Sequence, residues 1–481
     1  MTDNKLKILY VASEVEPFIK TGGLADVAGS LPQEIRNMGY DIRVVLPQFK
    51  QIPDQYRNKA EHVTHFYTRV SWRSEYVGIN KIINERVPTY FVDNEYFFAR
   101  PWVYDSNDKH IQFTFFCRAV LDFIKEIGFK PDIIHCNDWQ TGPLMLLLED
   151  QYRDKKFYKD IQTVFTIHNL SYQGRFDFYI IDDVLGVDRL HWETGNIQHD
   201  GQINFMKMGI MYADLINTVS RTYAEEIKNT YFGEGLDYAL RLRESDLTGI
   251  INGINYDSFN PETDDRIYYN YNKDNLEEKR LNKECLQEEM GLPENKNVPL
   301  IGVISRLVEQ KGFELITAVF DELMKEDLQF VLLGTGEEKY EDFFKEVCVK
   351  YPKKAATAIK YDSGLAQKIY AGADIFLMPS RFEPCGLSQL ISMRYGTIPV
   401  VRETGGLKDT VKPYNPNEST GYGFNFKTFN AHDMLYAVKR ACSYYNDQVV
   451  WNKLMKRAMN QDFSWKNSAQ KYIEFYNNLL I

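Results

Sequence analysis

The chain has too few basic residues for a protein that binds nucleic acid. Lysine and arginine total 57, against 67 aspartate and glutamate residues, which gives a formal net charge of −10. No basic excess is available to neutralise a phosphate backbone, so we expect no nucleic-acid partner.

Cysteines and long apolar runs are also scarce. Six cysteines occur in 481 residues, and they form neither a C-x-x-C pair nor a zinc-ligand spacing, which fits free thiols in a reducing cytoplasm. No apolar run reaches the roughly 18 residues that a membrane span needs. The N-terminus enters a predicted strand at once, without a signal peptide. We therefore expect a cytoplasmic protein with no membrane partner.

What is present is typical of a soluble globular protein. Hydrophobic residues make up 44% and charged residues 26% of the chain, which provides ample core. The length predicts two or three domains. Aromatic residues reach 14%, which suits carbohydrate binding but does not locate it.

Short apolar runs alternate with helical patterns in two successive blocks. The runs are 7–11, 42–46, 132–135, 163–167 and 215–219, then 299–304, 330–333, 355–359, 375–378 and 398–401. This alternation predicts an α/β protein with parallel sheets and helices on both faces. We expect domains over 1–246 and 247–460 and a helix over 461–481 that packs across the domain boundary. The stretches 51–84 and 172–202 lack periodicity and are predicted to be loops or insertions.

The segment 20–29 contains Lys20, Gly22 and Gly23 where the first predicted strand gives way to a helix. Glycines at such a place let backbone N–H groups approach a ligand, and the helix N-terminus favours a phosphate. A turn that simply needs glycine explains the same residues equally well. Pro32 should kink or restart the helix.

Polar groups also follow the strands of the second block, where open α/β sheets bind ligands. Arg306 and Lys311 suit a diphosphate, although a solvated surface pair is an equal alternative. Glu383 can accept sugar hydroxyls, or it can cap the next helix. The N–H groups that could meet a ligand belong to Cys385, Gly386 and Leu387, and the loop at Thr404 and Gly405 mirrors the first glycine pair.

Two residues that end neighbouring strands of the first block could move protons. They are Asp138, a candidate acceptor or base, and His168, a candidate proton carrier. The alternative for His168 is a structural role in the core, with its hydrogen bonds made inside the protein. Tyr361 could stack on a base, although ordinary packing is the favoured explanation. His62 and His65 have no third ligand, so no metal site is predicted.

Six motifs occur together in one order. They are 20–27 (KTGGLADV), 167–169 (IHN), 251–254 (INGI), 305–307 with 311–312 (SRL, KG), 380–387 (SRFEPCGL) and 403–407 (ETGGL). This combination closely resembles the bacterial glycogen synthases and plant starch synthases, from the first strand to the tail at 463–465 (FSW).

The resemblance implies a GT-B fold, with two Rossmann-like domains, a deep cleft between them and a C-terminal helix that crosses back to the first. It implies transfer of glucose from ADP-glucose to the non-reducing end of an α-1,4-glucan, such as glycogen or a maltooligosaccharide, with retention and without a metal or other cofactor. The first domain would take the glucan and the second the donor. Oligomeric state stays open, and a homo-oligomer is compatible with the sequence.

The resemblance also assigns residues. It places Arg306 and Lys311 on the phosphates with Lys20 and Gly23 closing on them, Glu383 and His168 on the glucose, Asp138 and Asn252 beside the reacting centre, and Tyr361 near the adenine.

Some positions depart from the family pattern. Gln140 stands where histidine is usual, Asn255 replaces an aspartate, and Arg221 replaces a proline, which should alter a local turn. Ile391 occupies the place of a second glutamate, as is normal in this branch.

Four alternatives remain at this stage. They are a related retaining transferase that uses UDP-glucose, a glucan-binding protein with a decayed site, a hydrolase that pairs Asp138 with Glu383, and a dinucleotide oxidoreductase. The last lacks G-x-G-x-x-G after either first strand.

Overall fold

The computed structural model describes residues 5–84, 87–104 and 107–479. The chain forms two compact units: the first comprises Met1–Asn252 with Trp465–Ile481, and the second is Gly253–Ser464. The predicted boundaries at 246/247 and 460/461 lie a few residues before these divisions. Each unit has its own hydrophobic core.

Unit 1 is built on a sheet of nine strands within the described residues, in the order β12-β11-β7-β6-β1-β2-β5-β4-β3. The strands of unit 1 are β1 (Lys7–Val11), β2 (Asp41–Pro47), β3 (Glu61–Val70), β4 (Arg73–Asn84), β5 (Val87–Asp93), β6 (Ile133–Asn137), β7 (Gln162–Ile167), β8 (Arg175–Phe176), β9 (Gln198–His199), β10 (Gln202–Asn204), β11 (Leu215–Thr218) and β12 (Leu247–Gly249). Neighbours from β12 to β5 pair in parallel. Their carboxyl ends therefore meet at one edge, as the alternating pattern predicted.

The stretch 51–84 was predicted to be a loop or an insertion, and the loop alternative was wrong. Strands β3 and β4 form a long antiparallel hairpin that extends the sheet beyond β5. Most of β3 is exposed, and only Thr68 and Val70 are buried. The apolar alternation of a half-buried strand is therefore missing from its sequence. The 172–202 stretch holds short helical turns and parts of a small sheet of β8, β10 and β9.

The helices of unit 1 cover the sheet. They are α1 (Gly23–Asn37), α2 (Asp54–Arg57), α3 (Glu95–Phe98), α4 (Lys109–Glu126), α5 (Gly142–Leu147), α6 (Leu190–Glu193), α7 (Phe205–Tyr212), α8 (Arg221–Glu226) and α9 (Asp237–Leu242). Helix α1 buries Leu24, Val27, Leu31 and Ile35 and runs on through Pro32, so the helix does not restart there.

Unit 2 contains a sheet of six strands in the residues that the structure describes, all parallel, in the order β15-β14-β13-β16-β17-β18. The strands are β13 (Leu300–Ile304), β14 (Gln329–Leu333), β15 (Ala355–Ala358), β16 (Ile375–Met378), β17 (Ile398–Arg402) and β18 (Phe424–Phe426). The helices are α10 (Glu277–Glu289), α11 (Phe313–Ala318), α12 (Phe320–Leu323), α13 (Glu338–Lys350), α14 (Ser363–Gly372), α15 (Ser388–Arg394), α16 (Gly405–Thr410), α17 (Ala431–Tyr445) and α18 (Gln448–Met459).

The last helix, α19 (Trp465–Asn477), belongs to unit 1. The Tyr476 hydroxyl lies 2.7 Å from Nδ1 of the buried His135, and Asn217 donates to the Tyr472 hydroxyl at 3.0 Å. These bonds tie the helix to β6 and β11. Residues 480–481 of the predicted tail lie outside the described part. Of the helices in the described ranges, none is both long and apolar enough to cross a membrane.

Candidate functional site

In unit 1 the loop before α1 is held by a buried carboxylate that the sequence analysis missed. Glu14, 4% exposed, accepts hydrogen bonds from the backbone N–H and hydroxyl of Thr21, from the Gly22 N–H at 3.2 Å and from the Tyr104 hydroxyl at 2.5 Å. The amides of Thr21 and Gly22 are therefore already bonded. The expectation that this turn offers them to a phosphate was wrong for these two groups.

The glycines of this loop are not required by the protein's own geometry. Gly22 has an extended backbone with φ −153°, and neither Gly22 nor Gly23 has a positive φ. A Cβ built at either position meets no atom within 4 Å. The explanation that the turn needs glycine is therefore wrong here, and a reason for glycine must come from outside the chain.

Lys20 lies beside these glycines in an exposed ion pair. Its Nζ is 2.6 Å from Asp26 Oδ1, and its side chain is 43% exposed. Such surface pairs contribute only about 0–1 kcal/mol. The ammonium can therefore exchange Asp26 for a phosphate at little cost.

Asp138 ends β6 in a backbone conformation that non-glycine residues rarely adopt, with φ +56°. Its N–H donates to the Thr166 carbonyl at 2.9 Å, and its Oδ1 accepts from the His168 N–H at 2.7 Å. Burial raises the pKa of Asp138 to about 7, although hydrogen bonds from the backbone of residues 168 and 169 oppose the rise. A carboxyl with such a pKa can exchange a proton near neutral pH.

Replacing Asp138 with asparagine should reveal this burial in the pH dependence of stability. The pKa of Asp138 is higher in the folded protein than in the unfolded chain, so its contribution to stability is complete below about pH 4 and is lost as the pH rises through about 7. Asparagine does not titrate and also tolerates a positive φ. Asp138→Asn should therefore gain stability relative to wild type as the pH rises, at about 1.4 kcal/mol per unit of pKa difference.

Urea unfolding at several pH values measures this effect. The matched control is Asp200→Asn, because Asp200 is exposed and also has a positive φ, +50°. A stability difference between Asp138→Asn and wild type that does not change between about pH 4 and 8 would contradict the assignment.

His168 follows β7 and is oriented by Asn137. The Asn137 amide donates from Nδ2 to the Val11 carbonyl at 3.0 Å, which fixes its Oδ1 as the atom that faces His168 Nε2 at 2.9 Å. That oxygen also accepts from the Tyr10 hydroxyl at 3.0 Å. His168 must therefore carry its proton on Nε2, which leaves Nδ1 as an acceptor. Burial lowers the pKa of His168 to about 3, so the ring is neutral at physiological pH.

Nitrogen chemical shifts of the histidine rings should show this tautomer directly. We expect His168 to be protonated on Nε2 alone at about pH 6 and above, because its pKa is far below the ordinary histidine value. His168→Gln identifies the signal. An imidazolium at about pH 6, or a ring protonated on Nδ1, would contradict the geometry.

Several buried amides have an oxygen without a partner among the described residues, and Asn252 and Gln140 are two of them. Asn252, predicted to lie beside the reacting centre, is 5% exposed, and its Oδ1 accepts no bond. Gln140 is 6% exposed, and its Oε1 is also unsatisfied. A buried polar atom without a partner calls for an explanation, and a bound ligand would supply one.

In unit 2, Glu383 is held between a cation and a hydroxyl. Its Oε2 lies 2.7 Å from Lys311 Nζ and accepts from the Ser380 hydroxyl at 3.0 Å. Glu383 is 6% exposed. The alternative that Glu383 caps a helix was wrong, because α15 begins at Ser388 without a side-chain cap. Lys311, whose side chain is 19% exposed, is paired with this largely buried carboxylate, so the alternative of a solvated pair does not hold for it.

Arg306 is exposed just beyond the end of β13. Within the described chain, its side chain has neither an ion pair nor a hydrogen bond. The guanidinium, with its five N–H donors, is therefore available to a ligand.

The glycines that follow β17 have a structural reason, unlike those before α1. Gly405 has φ +44°, and a Cβ there would lie 2.0 Å from the Glu383 carbonyl oxygen. A Cβ on Gly406 would lie 2.0 Å from the Cys385 carbonyl oxygen. Close packing against the Glu383 loop thus explains both glycines. The alternative that the local turn itself requires glycine is therefore confirmed for this pair. Thr404, before them, is fully buried.

The segment after Glu383, Cys385 to Leu387, is a loop that its own hydrogen bonds hold in place. Cys385 is buried, Gly386 has φ +72°, and Leu387 is the residue before α15. The carbonyls of Cys385 and Gly386 accept from Gln389 Nε2 at 3.0 and 2.9 Å, which fixes the loop.

Tyr361 is 88% exposed. The favoured explanation, ordinary packing, was therefore wrong, and the ring is free to stack on a flat ligand.

The departures from the family pattern are accommodated locally. Asn255 Oδ1 accepts from the Asp257 N–H at 2.8 Å and from the Ser258 N–H, which an aspartate would also do. Arg221 occupies the first position of α8, capped by Ser220. Proline is favoured at that position, so the helix start is retained. Ile391 is buried.

No group of three or more histidine, cysteine, aspartate or glutamate residues is arranged to hold a metal ion in the part of the chain that the structure describes.

Two family models match the chain, one in each unit. The starch synthase catalytic domain matches residues 7–242, and glycosyl transferases group 1 matches residues 287–456.

Curated relatives match over nearly the whole chain. Glycogen synthase of Clostridium novyi is 50% identical, with 99% of both chains covered. Glycogen synthase of Geobacillus stearothermophilus is 49% identical, with 99% of this chain and 98% of the relative covered.

Solved structures agree with these relatives. The catalytic domain of starch synthase IV from Arabidopsis thaliana, bound to ADP and acarbose, has a TM-score of 0.90 at 32% identity and covers 99% of each chain. Sucrose-phosphate synthase from Thermosynechococcus elongatus, at 16% identity and a TM-score of 0.62, shares the fold. The predicted GT-B fold is confirmed, and the hydrolase and oxidoreductase alternatives are excluded. The chain belongs to the family of glycogen synthases and starch synthases and is a glucosyltransferase.

Proposed function

We propose that this enzyme transfers glucose from ADP-glucose to the non-reducing end of an α-1,4-glucan, with retention of configuration. Unit 2 binds the nucleotide sugar, and unit 1 provides the groups that receive the glucan. The reaction needs no metal or other cofactor.

The observation that carries the proposal is the arrangement around Glu383. A buried carboxylate bonded to Lys311 lies in the same unit as Arg306, a guanidinium with no partner among the described residues. The Glu383 carboxylate suits a ligand that has hydroxyl groups. The Lys311 and Arg306 cations suit a ligand that also has a diphosphate. A nucleoside diphosphate sugar has both.

The chemistry assigns a role to each of these groups. The bond between the glucose anomeric carbon and the diphosphate oxygen breaks, and Arg306 and Lys311 stabilise the negative charge that grows on the leaving ADP. The Glu383 carboxylate accepts hydrogen bonds from hydroxyl groups of the glucose. The acceptor hydroxyl attacks the face that ADP leaves and gives its proton to the departing diphosphate oxygen, so the configuration is retained without a covalent nucleophile.

Unit 1 contributes fixed hydrogen-bonding groups. His168 is neutral and presents Nδ1 as an acceptor for a sugar hydroxyl. Asp138 offers a carboxyl group of raised pKa, and Asn252 offers an amide oxygen that has no partner among the described residues. Lys20 and Gly23 of unit 1 meet the phosphate, and Tyr361 of unit 2 stacks on the adenine.

Release of ADP tests the proposal. With ADP-glucose and glycogen, the wild type should release ADP and lengthen glucan chains, and Glu383→Gln should lose at least about a hundredfold in kcat/KM. The matched control is Glu309→Gln, since Glu309 is an exposed glutamate of the same unit, between Arg306 and Lys311.

The donor and the stereochemistry are tested in the same assay. UDP-glucose at equal concentration should be the poorer donor, and β-amylase should digest the added residues because they are α-linked. Absence of ADP release, with Glu383→Gln behaving like wild type, would overturn the proposal. A preference for UDP-glucose would overturn only the donor assignment.

A further inference from the structure

A cavity lies in unit 1, and its lining includes none of the residues proposed above to bind the substrates. Its volume is about 330 Å³, and its walls include Arg69, Arg118, Asp122, Tyr152 and Lys155. This volume is in the range of small-molecule sites.

The cavity is bordered by unusual backbone. Leu148–Tyr152 and Ile181–Leu185 are both π-helical, and such segments occur frequently at functional sites. The turn between β3 and β4 contains Ser71 at φ +53°, whose hydroxyl donates to the Asp182 carbonyl at 2.6 Å. The hairpin that the sequence analysis missed therefore forms one wall.

Arg118 is a buried cation that forms no ion pair within the described residues, although the carboxylates of Asp122 and Asp150 are near enough to act on its charge. It is 5% exposed. It donates to Gln151 Oε1 at 2.8 Å and to the Leu185 carbonyl, both of which are neutral, and its Nε has no partner among the described residues. Burial lowers its pKa. A buried charge of this kind is costly unless it is paired.

The carboxylate in the cavity offsets this charge only in part, because other groups hold it. Asp122 accepts from the Thr68 hydroxyl at 2.6 Å and from the Tyr152 hydroxyl at 3.0 Å, and it forms no ion pair with Arg118 within the described ranges. Two further cations lie at the opening. Arg69 is exposed, and the Lys155 ammonium is 4.1 Å from the centre of the Tyr152 ring.

We propose that this cavity binds a small phosphate ester, with its phosphate on Arg118, Arg69 and Lys155. Three cations against one engaged carboxylate match a dianion and are unnecessary for a neutral sugar. Arginine donates to phosphate oxygens in a fork. The Tyr67 ring, 68% exposed at the same cavity, is placed to cover the organic part of the ligand.

Calorimetric titration with glucose 6-phosphate, inorganic phosphate and maltotriose tests the proposal. The informative variant is Arg69→Gln/Lys155→Gln, because both side chains are exposed and their loss leaves Arg118 and the fold in place. Lys156→Gln is the matched control, an exposed lysine next to Lys155 that does not line the cavity.

We expect saturable binding of the ester to wild type, at least about tenfold weaker binding to the double variant, and no change in Lys156→Gln. Glucan synthesis without the ester should be unchanged in the double variant. Binding of inorganic phosphate alone would overturn the ester, and equal binding of maltotriose to wild type and double variant would overturn the charged site. No binding of the ester, or binding that survives in the double variant, would also overturn it.

Discussion

Replacing Lys311 with alanine should lower kcat/KM by about a hundred- to a thousandfold, equivalent to about 2.7–4 kcal/mol of transition-state stabilisation. In the proposed reaction the ammonium faces the charge that develops as ADP leaves, and in the structure it holds Glu383 through the 2.7 Å pair. Initial rates of ADP release from ADP-glucose with glycogen measure the effect. A variant within about twofold of wild type would refute the phosphate role of Lys311.

Arg306→Ala separates the electrostatic effect from a structural one. Lys311→Ala strands the buried Glu383 carboxylate, so part of its effect can come from a displaced loop. The Arg306 side chain forms no hydrogen bond or ion pair within the described residues, so its removal should leave the melting temperature unchanged while kcat/KM falls at least about tenfold. Lys345→Ala, on α13, controls for the loss of one exposed positive charge. Full activity of Arg306→Ala would show that the diphosphate lies elsewhere.

The sequence predicted the sheets well because their strands are buried on both faces. Runs such as Ile133–Asn137 and Leu300–Ile304 are almost wholly buried, so their apolar character is visible without neighbours. Strand β3 is exposed along most of its length, and its place in the sheet comes from hydrogen bonds to β4. No pattern in a single sequence records such pairing.

The candidate residues were found where polar groups follow a strand, and the same signal could have found two that were missed. Glu14 comes shortly after β1, and Asn137 is the last residue of β6. Their roles depend on atoms far apart in the chain, such as the contact between Asn137 and Tyr10. The type of residue could be predicted, but its partner could not.

The two glycine pairs show the same limit. Both precede a helix, and the sequence treats them alike. Gly405 and Gly406 pack against the carbonyls of the Glu383 loop, whereas Gly22 and Gly23 face open space. Only Gly22 and Gly23 point to a ligand, because nothing in the protein excludes a side chain at these two positions.

Gly23→Ala should therefore stabilise the protein and weaken the enzyme. The added methyl meets no atom, and alanine restricts the unfolded chain more than glycine does, which raises the free energy of unfolding by about 0.4–1 kcal/mol. The same methyl would lie against a phosphate that approaches the start of α1. Overpacking of this kind costs about 1–3 kcal/mol, so kcat/KM for ADP-glucose should fall about ten- to a hundredfold.

Gly128→Ala is the matched control, because it should do the opposite. Its Cβ also meets nothing within 4 Å, but its φ is +63°, so alanine is strained there. It should lower the free energy of unfolding and leave kcat/KM unchanged. Urea unfolding and ADP release on the two variants give four values. If Gly23→Ala keeps full activity, a phosphate does not approach this loop, and Lys20 loses its assigned role with it.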